Sequence, residues 1–198
     1  MRALLTSLLI IIALPLAALA DDRSERIDAA RDFAQASGMW QAILANIPNL
    51  GDVVVDGIRA EMPQLRDDQA RDVRDLINAR FEAEQGAFLD MVSGVLANHL
   101  STTDLRELTA YFRSAAGQSQ ARAIARGAEV TEAEMAALIL ALPPEAQAEV
   151  ERFGNSAAAR NWLSVQPRFI PEIEQVSTAF GENLVYGSMN ELQAILAR

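Results

Sequence analysis

The chain has 198 residues, no cysteine and a formal net charge of −10. The lack of cysteine excludes a disulfide framework and a lipid attached through an N-terminal thiol, so a hydrophobic core must hold the fold together. The negative charge argues against nucleic acids and anionic membrane surfaces as partners, because both carry phosphate groups.

The first twenty residues have the order of a secretory signal peptide. Arg2 precedes an uncharged apolar stretch at residues 4–14, and Pro15 interrupts the apolar region. Ala18 and Ala20 then supply the small residues of a cleavage site, followed at once by charged residues. This pattern predicts cleavage after Ala20.

Cleavage there would release residues 21–198 as the mature chain. All basic residues are arginine, which is typical of a GC-rich bacterial genome. We therefore expect the periplasm of a Gram-negative cell, or the space outside it, as the location. An uncleaved anchor is the alternative, although residues 3–20 are barely long enough to cross a bilayer. No second long apolar run follows, so no membrane span is expected after cleavage.

The mature chain predicts helices almost throughout, because apolar residues recur three and four positions apart among good helix formers. Short apolar stripes cover residues 27–34 and 40–47. Residues 50–58 keep a helical period too, although residues 53–57 also fit a short strand and turn. No partner strand is evident, so helix is favoured there. The longest periodic stretch is 66–98, whose other face is charged.

Three later helix starts are marked by their chemistry. Two are capping boxes, in which a hydroxyl precedes an acid by three residues: Ser101 with Asp104 and Thr131 with Glu134. The third is Pro144, a favoured residue in a first helical turn.

Two glycines, Gly127 and Gly154, are expected to end helices. The apolar residues from Ile170 to Leu196 predict a long closing helix that is loosened at Gly181 and Gly187. Taken together, the pattern predicts an all-α fold: one domain over residues 21–198, built as a bundle of about seven to nine helices.

Residues 100–117 and 142–159 align at an offset of 42 positions. The alignment suggests two similar helix–turn–helix units, at about 89–129 and 131–171, in each of which a serine ends one helix and caps the next. The alternative is that two alanine-rich amphipathic helices align through composition alone. The identical pairs are Leu100 with Leu142, Glu107 with Glu149, and Ser114-Ala115-Ala116 with Ser156-Ala157-Ala158, while Leu108 with Val150 and Tyr111 with Phe153 match in kind.

The first of these segments carries a recognisable pattern: Leu100-Ser101-Thr102 through Leu105, then Tyr111-Phe112-Arg113-Ser114-Ala115-Ala116-Gly117-Gln118. It resembles the signature of the domain of unknown function 2059 family, Phe-Thr-x-x-Glu-Leu followed after a short spacer by Phe-Tyr-x-Ser-Pro-x-Gly-Gln. This chain differs where Leu100 replaces Phe, where the two aromatic residues are reversed and where Ala115 replaces Pro. The resemblance implies an exported, helical bacterial protein of the cell envelope and brings no activity or active site with it.

The pattern also has a physical interpretation of its own. Tyr111 and Phe112 would fill the elbow between two helices, Ser114 would cap the second helix, and the small residues that follow would permit close packing. A ligand site at this elbow is the alternative.

Few residues suit catalysis or metal binding. The only histidine is His99, so a metal site built on several histidines is impossible, and without cysteine any metal would need carboxylates. Serine motifs around Ser119 and Ser156 imitate a nucleophile elbow, but a helical setting does not suit that motif. Four glutamates are nominal general acids for cleaving cell-wall glycan, although solvated surface positions are expected for them: Glu107, Glu149, Glu174 and Glu182.

The sequence therefore predicts no catalytic, cofactor-binding or metal-binding residue. The leading hypothesis is a non-enzymatic periplasmic protein that binds another envelope protein or a small apolar ligand held between helices. A carboxylate-dependent enzyme acting on cell-wall glycan is the alternative, and a protein held at the membrane by an uncleaved N-terminus is a third. Trp162 is expected to pack in the core, with a partner-facing role as the alternative.

Overall fold

The computed structural model describes residues 22–47, 49–126 and 131–198. These residues form helices joined by short turns and contain no strand, which confirms the predicted all-α bundle. Helix α1 covers residues 22–36. It is followed by α2 (Met39–Asn46), α3 (Leu50–Glu61), α4 (Asp67–His99), α5 (Thr102–Arg113), α6 (Ala115–Ile124), α7 (Glu132–Leu140), α8 (Pro144–Gly154), α9 (Ala157–Gly187) and α10 (Met189–Leu196). None of the helices in the described ranges combines the length and apolar character that a membrane span needs.

The hydrophobic core is built around α4, the longest helix, which the periodicity of residues 66–98 predicted. Helices α3 and α9 both pack against α4. Phe88 of α4 stacks on Phe180 of α9, with ring centroids 4.7 Å apart, and also contacts Trp40 of α2. The apolar positions of α4 lie on one face because they recur every three or four residues. Those that are completely shielded from solvent are Val73, Ile77, Phe88, Val92 and Leu96.

Residues 53–57 lie inside α3, so helix rather than strand is confirmed there. The side chain of Asn49 caps α3 by accepting a hydrogen bond from the backbone N–H of Asp52. Gly51 lets α3 approach α4 closely, since a Cβ at this position would lie 2.7 Å from the carbonyl oxygen of Arg74.

The predicted helix starts are confirmed. Ser101 and Thr131 each accept a hydrogen bond from the backbone N–H three residues on, and Asp104 and Glu134 complete the two capping boxes. Pro144 is the first residue of α8. Gly154 ends α8 as predicted, whereas Gly127 lies outside the described residues.

The closing helix differs from its prediction. It begins at Ala157 rather than near Ile170, and it continues through Pro167, Pro171 and Gly181 before it ends at Gly187. Both prolines lie on the solvent side of α9, where their rings meet no core neighbour and the carbonyls that lose a backbone donor can bind water. Of the two glycines that were predicted to loosen this helix, only Gly187 ends it, and α10 follows.

Helices α5 and α6 pack reciprocally with helices α8 and α9. The first helix of one pair lies against the second helix of the other: α5 contacts α9, and α8 contacts α6. Residues Ser114 and Ser156, which align at the offset of 42, make the same contact, since each caps the second helix of its pair. That the two pairs are similar repeated units stays a prediction.

Candidate interaction surface

The four glutamates considered as general acids do not form one catalytic site. Glu107 and Glu149 line a shallow cleft beside Tyr111 and Phe153. Glu174 and Glu182 lie elsewhere, on the outer side of α9. No carboxylate among the described side chains is buried. A glycan-cleaving acid depends on burial to hold its proton, so the described residues lack the feature that this alternative requires.

His99 connects α4 to α9. Its Nε2 lies 2.9 Å and 3.0 Å from the two carboxylate oxygens of Glu172, and its side chain is only 17% exposed. Nowhere in the described ranges do three or more histidine, aspartate or glutamate side chains form a group that could hold a metal ion. The pair is therefore a contact between two core helices.

The two serine motifs are parts of helices. Ser119 lies within α6, where its hydroxyl accepts a hydrogen bond from Arg122. Ser156 is the N-cap of α9 and accepts a hydrogen bond from the backbone N–H of Ala159 at 3.1 Å. A nucleophile elbow needs a strand leading into the serine. Both serines follow helical segments instead, so this geometry is absent at both.

The elbow is filled by aromatic rings, as the sequence predicts for Tyr111 and Phe112. The rings of Tyr111 and Phe153 lie flat against each other, with centroids 3.6 Å apart and planes 4° from parallel. The Tyr111 hydroxyl is buried and makes no hydrogen bond of good geometry, although the Gln120 side chain is close enough to lower the pKa slightly. Burial, with a smaller effect from the charge of Glu149, raises the pKa of Tyr111 to about 12. The phenol therefore stays neutral within a packed contact.

A cleft of about 580 Å³ lies between α1 and α5, and charged side chains line it. Arg106 of α5 pairs with Glu25 of α1 at 2.5 Å, and Arg113 pairs with Asp32 at 3.6 Å. The acids of α1 thus face the arginines of α5 across an open groove. Such a lining does not suit an apolar ligand.

The outer face of α9 is apolar and exposed. Leu163 is 62% exposed and Ile170 is 58% exposed, and Pro167 and Pro171 are exposed beside them. Pro167 lies four residues from Leu163 and from Pro171 and three from Ile170, so these positions share one side of the helix. We call Leu163, Pro167, Ile170 and Pro171 the α9 stripe. The opposite side of α9 carries the residues that pack in the core, among them Phe169, Phe180 and Leu184.

Opposite charges flank the α9 stripe. Arg160 lies one turn before Leu163, and Glu174 lies one turn after Ile170, and both are exposed. Within the described residues, Arg160 donates a hydrogen bond to the Asn155 carbonyl and has no ion pair, and Glu174 has no ion pair either. Exposed apolar patches rimmed by polar residues are a feature of contact sites for other molecules, so the α9 stripe is the candidate interaction surface.

Trp162 lies beside the α9 stripe but faces inwards. It is half-buried and makes edge-to-face contacts with Phe33 at 5.2 Å and Phe169 at 5.7 Å, so the prediction of core packing is confirmed. Sequence reasoning missed the stripe because the closing helix was expected to begin near Ile170. The helical spacing of Leu163, Pro167 and Ile170 could have revealed the stripe. This spacing is recognised only if the helix is assumed to continue through Pro167.

Comparison of the chain with protein-family models, with curated proteins and with solved structures found no match. The resemblance of residues 100–118 to the domain of unknown function 2059 family therefore stays a prediction.

Proposed function

We propose that this protein is exported by cleavage after Ala20 and acts in the bacterial cell envelope as a non-enzymatic interaction protein that uses the α9 stripe to bind protein. Export is supported by the order of the first twenty residues, a basic start, an apolar stretch and a small-residue cleavage site. The acidic composition gives the chain little attraction for phosphate-bearing partners.

The exposed α9 stripe is the observation that carries this proposal. On its other side α9 buries Phe169, Phe180 and Leu184 in the common core, which residues from Ala29 to Ile195 share. Leaving Leu163 and Ile170 more than half exposed forgoes part of the roughly 1.5–3 kcal/mol that full burial of each side chain would contribute. Contact with the surface of another protein would bury these two side chains and so recover this free energy.

A protein partner fits the stripe better than a small apolar ligand does. The stripe is a convex helix face, whereas small ligands bind in concave, largely apolar pockets. The cleft between α1 and α5 is concave, but its lining is charged. The version of the hypothesis in which an apolar ligand lies between helices thus has less support.

A photoreactive amino acid at position 163 tests the proposed surface in living cells. We expect covalent adducts with protein at Leu163 and at Ile170. Val53 of α3, which is 52% exposed, is the matched control, because it is a similarly exposed apolar residue on a different helix. Equal adduct formation from position 53 would count against a dedicated surface on α9.

The location is tested separately by fractionating the cells and sequencing the N-terminus of the exported protein. A first residue of Asp21 is expected. Recovery of the protein with its first twenty residues intact would overturn the proposed export by cleavage.

A further inference from the structure

We infer that the partner of the α9 stripe is a second copy of this chain, paired through antiparallel α9 helices about a two-fold axis near Pro167. This inference rests on the proposed function, because it names the molecule that covers the same surface. It is carried by the self-complementary order of residues along α9.

The charges at the two ends of the stripe are equally far from Pro167. Arg160 lies seven residues before it and Glu174 seven residues after it, which is about 10 Å in each direction along a helix. An antiparallel copy therefore places each Arg160 opposite the Glu174 of the other copy. A two-fold interface makes every such contact twice, so one substitution affects two ion pairs.

The apolar residues follow the same symmetry. At 100° per residue, Leu163 and Ile170 lie on one side of the line through Pro167, and Ser164 and Pro171 lie on the other. In the antiparallel pair, Leu163 faces the other copy's Ile170, and Ser164 faces Pro171. The two largest apolar side chains thus cover each other, and the charged residues lie at the rim, as in known protein interfaces.

The extent of the stripe predicts a weak dimer. From Arg160 to Glu174 it is about 21 Å long and one helix wide, which is small beside a stable interface. Residues 21–198 lack Arg2 and carry 16 arginines against 27 acids, a formal net charge of −11 on each copy. This charge adds long-range repulsion, which salt at physiological concentration screens. We expect a dissociation constant in the micromolar range at about 0.15 M salt.

Sedimentation equilibrium of residues 21–198 over a roughly hundredfold concentration range tests this dimer. Leu163→Arg should weaken dimerisation at least about tenfold, because it places charge at the apolar contact. Val53→Arg, on α3, should leave dimerisation unchanged. Circular dichroism and thermal melting confirm that each variant is folded.

Charge exchange then tests the register. Arg160→Glu and Glu174→Arg should each weaken self-association, because each sets like charges opposite one another twice. A mixture of the two single variants should dimerise again, because positions 160 and 174 are then both negative in one chain and both positive in the other. A merely structural effect on α9 would not be rescued by mixing two separate chains.

The absence of cysteine permits a direct test of proximity. A copy carrying Leu163→Cys should form a disulfide with a copy carrying Ile170→Cys under mild oxidation, whereas Val53→Cys should not cross-link with either.

Each result bears on a different claim. A chain that stays monomeric throughout, or a dimer that the α9 variants leave unchanged, would overturn the inference. If position 163 then still gives photo-adducts with another envelope protein, the proposed function stands without the dimer. If position 163 gives no more adducts than position 53, the proposed surface falls as well.

Discussion

Tyr111 and Phe153 lie ring against ring, 3.6 Å apart, and they occupy matching positions in the two segments that align at an offset of 42 residues. Residues that match in sequence thus meet in space. The helices themselves meet crosswise, since α5 packs on α9 and α8 packs on α6, so each helix pair covers an apolar side of the other. Neither pair would bury this surface alone, because a single helical hairpin has no second layer.

The buried phenol of Tyr111 predicts a loss of stability at high pH. Its pKa is raised from 10.0 to about 12 in the folded chain. Below pH 10 the phenol is neutral in both states, so its contribution is fully present. As pH rises from 10 towards 12, the unfolded chain ionises first, and folding loses roughly 2 kcal/mol through this group. Urea unfolding across this pH range measures the loss.

Tyr111→Phe supplies the control for this prediction, since it keeps the ring and removes the ionisable group. The variant should show little loss of stability between pH 10 and 12. Tyr186 is 70% exposed, so Tyr186→Phe should retain the loss. The chain has no lysine or cysteine, so neither of these side chains contributes to the change in this window. The same loss in Tyr111→Phe as in the parent would refute the assignment.

Gly117 predicts a second, steric effect at the elbow. A Cβ at this position would lie 2.1 Å from the carbonyl oxygen of Tyr111 and 2.6 Å from the Cα of Phe112. Both neighbours are backbone atoms and cannot turn aside, so Gly117→Ala must open the elbow. We expect the free energy of unfolding to fall by about 2–3 kcal/mol.

Gly86→Ala in α4 is the matched control for Gly117→Ala. Apart from its chain neighbours and the local backbone of α4, no atom lies within 4 Å of the Cβ that it would add, so only the gain in helix propensity remains. This variant should be more stable by about 0.5–1 kcal/mol. Chemical denaturation measures the free energy of unfolding of both variants. A similar change of this free energy, with the same sign in both, would contradict the close contact at Gly117.

The two capping serines predict matching effects. Ser114 accepts a hydrogen bond from the N–H of Gly117 at 3.2 Å, and Ser156 accepts one from Ala159 at 3.1 Å. Ser114→Ala and Ser156→Ala should each cost about 1 kcal/mol of stability, because each leaves a backbone donor unpaired. Ser156→Asp should retain most of the stability, since aspartate also caps helices. A loss from Ser156→Asp as large as that from Ser156→Ala would argue against a capping role.

The local chemistry of the chain was sufficient to predict much of this fold. Capping boxes at Ser101 and Thr131 act within one helical turn, so residues three apart in sequence determine them. The period of residues 66–98 predicted α4 because a helix with one apolar face must bury that face. The pairing of Tyr111 with Phe153 was not predicted, since it depends on how two helix pairs meet.

The start of α9 shows why the candidate surface was harder to foresee. Pro167 normally interrupts a helix, and a local rule therefore starts the closing helix after it, near Ile170. In the folded chain, the core buries Ala158 and Ala159 before the two prolines of α9, Phe169 between them and Phe180 after them, and this tertiary packing outweighs the local penalty. Leu163 and Ile170 share one exposed face because a single helix runs through both prolines.

Because Phe88 lies in the core and Leu163 lies in the α9 stripe, replacing each side chain by alanine should affect stability very differently. Phe88 is fully buried and contacts both Trp40 and Phe180, so Phe88→Ala should lower the free energy of unfolding by about 3–5 kcal/mol. Leu163 is 62% exposed, and Leu163→Ala should change the stability of the monomer by less than about 0.5 kcal/mol. Urea unfolding at a concentration that favours the monomer measures both values. If Leu163→Ala were as costly as a core truncation under these conditions, Leu163 would be holding the monomer together, and the α9 stripe would not be a surface available to a partner.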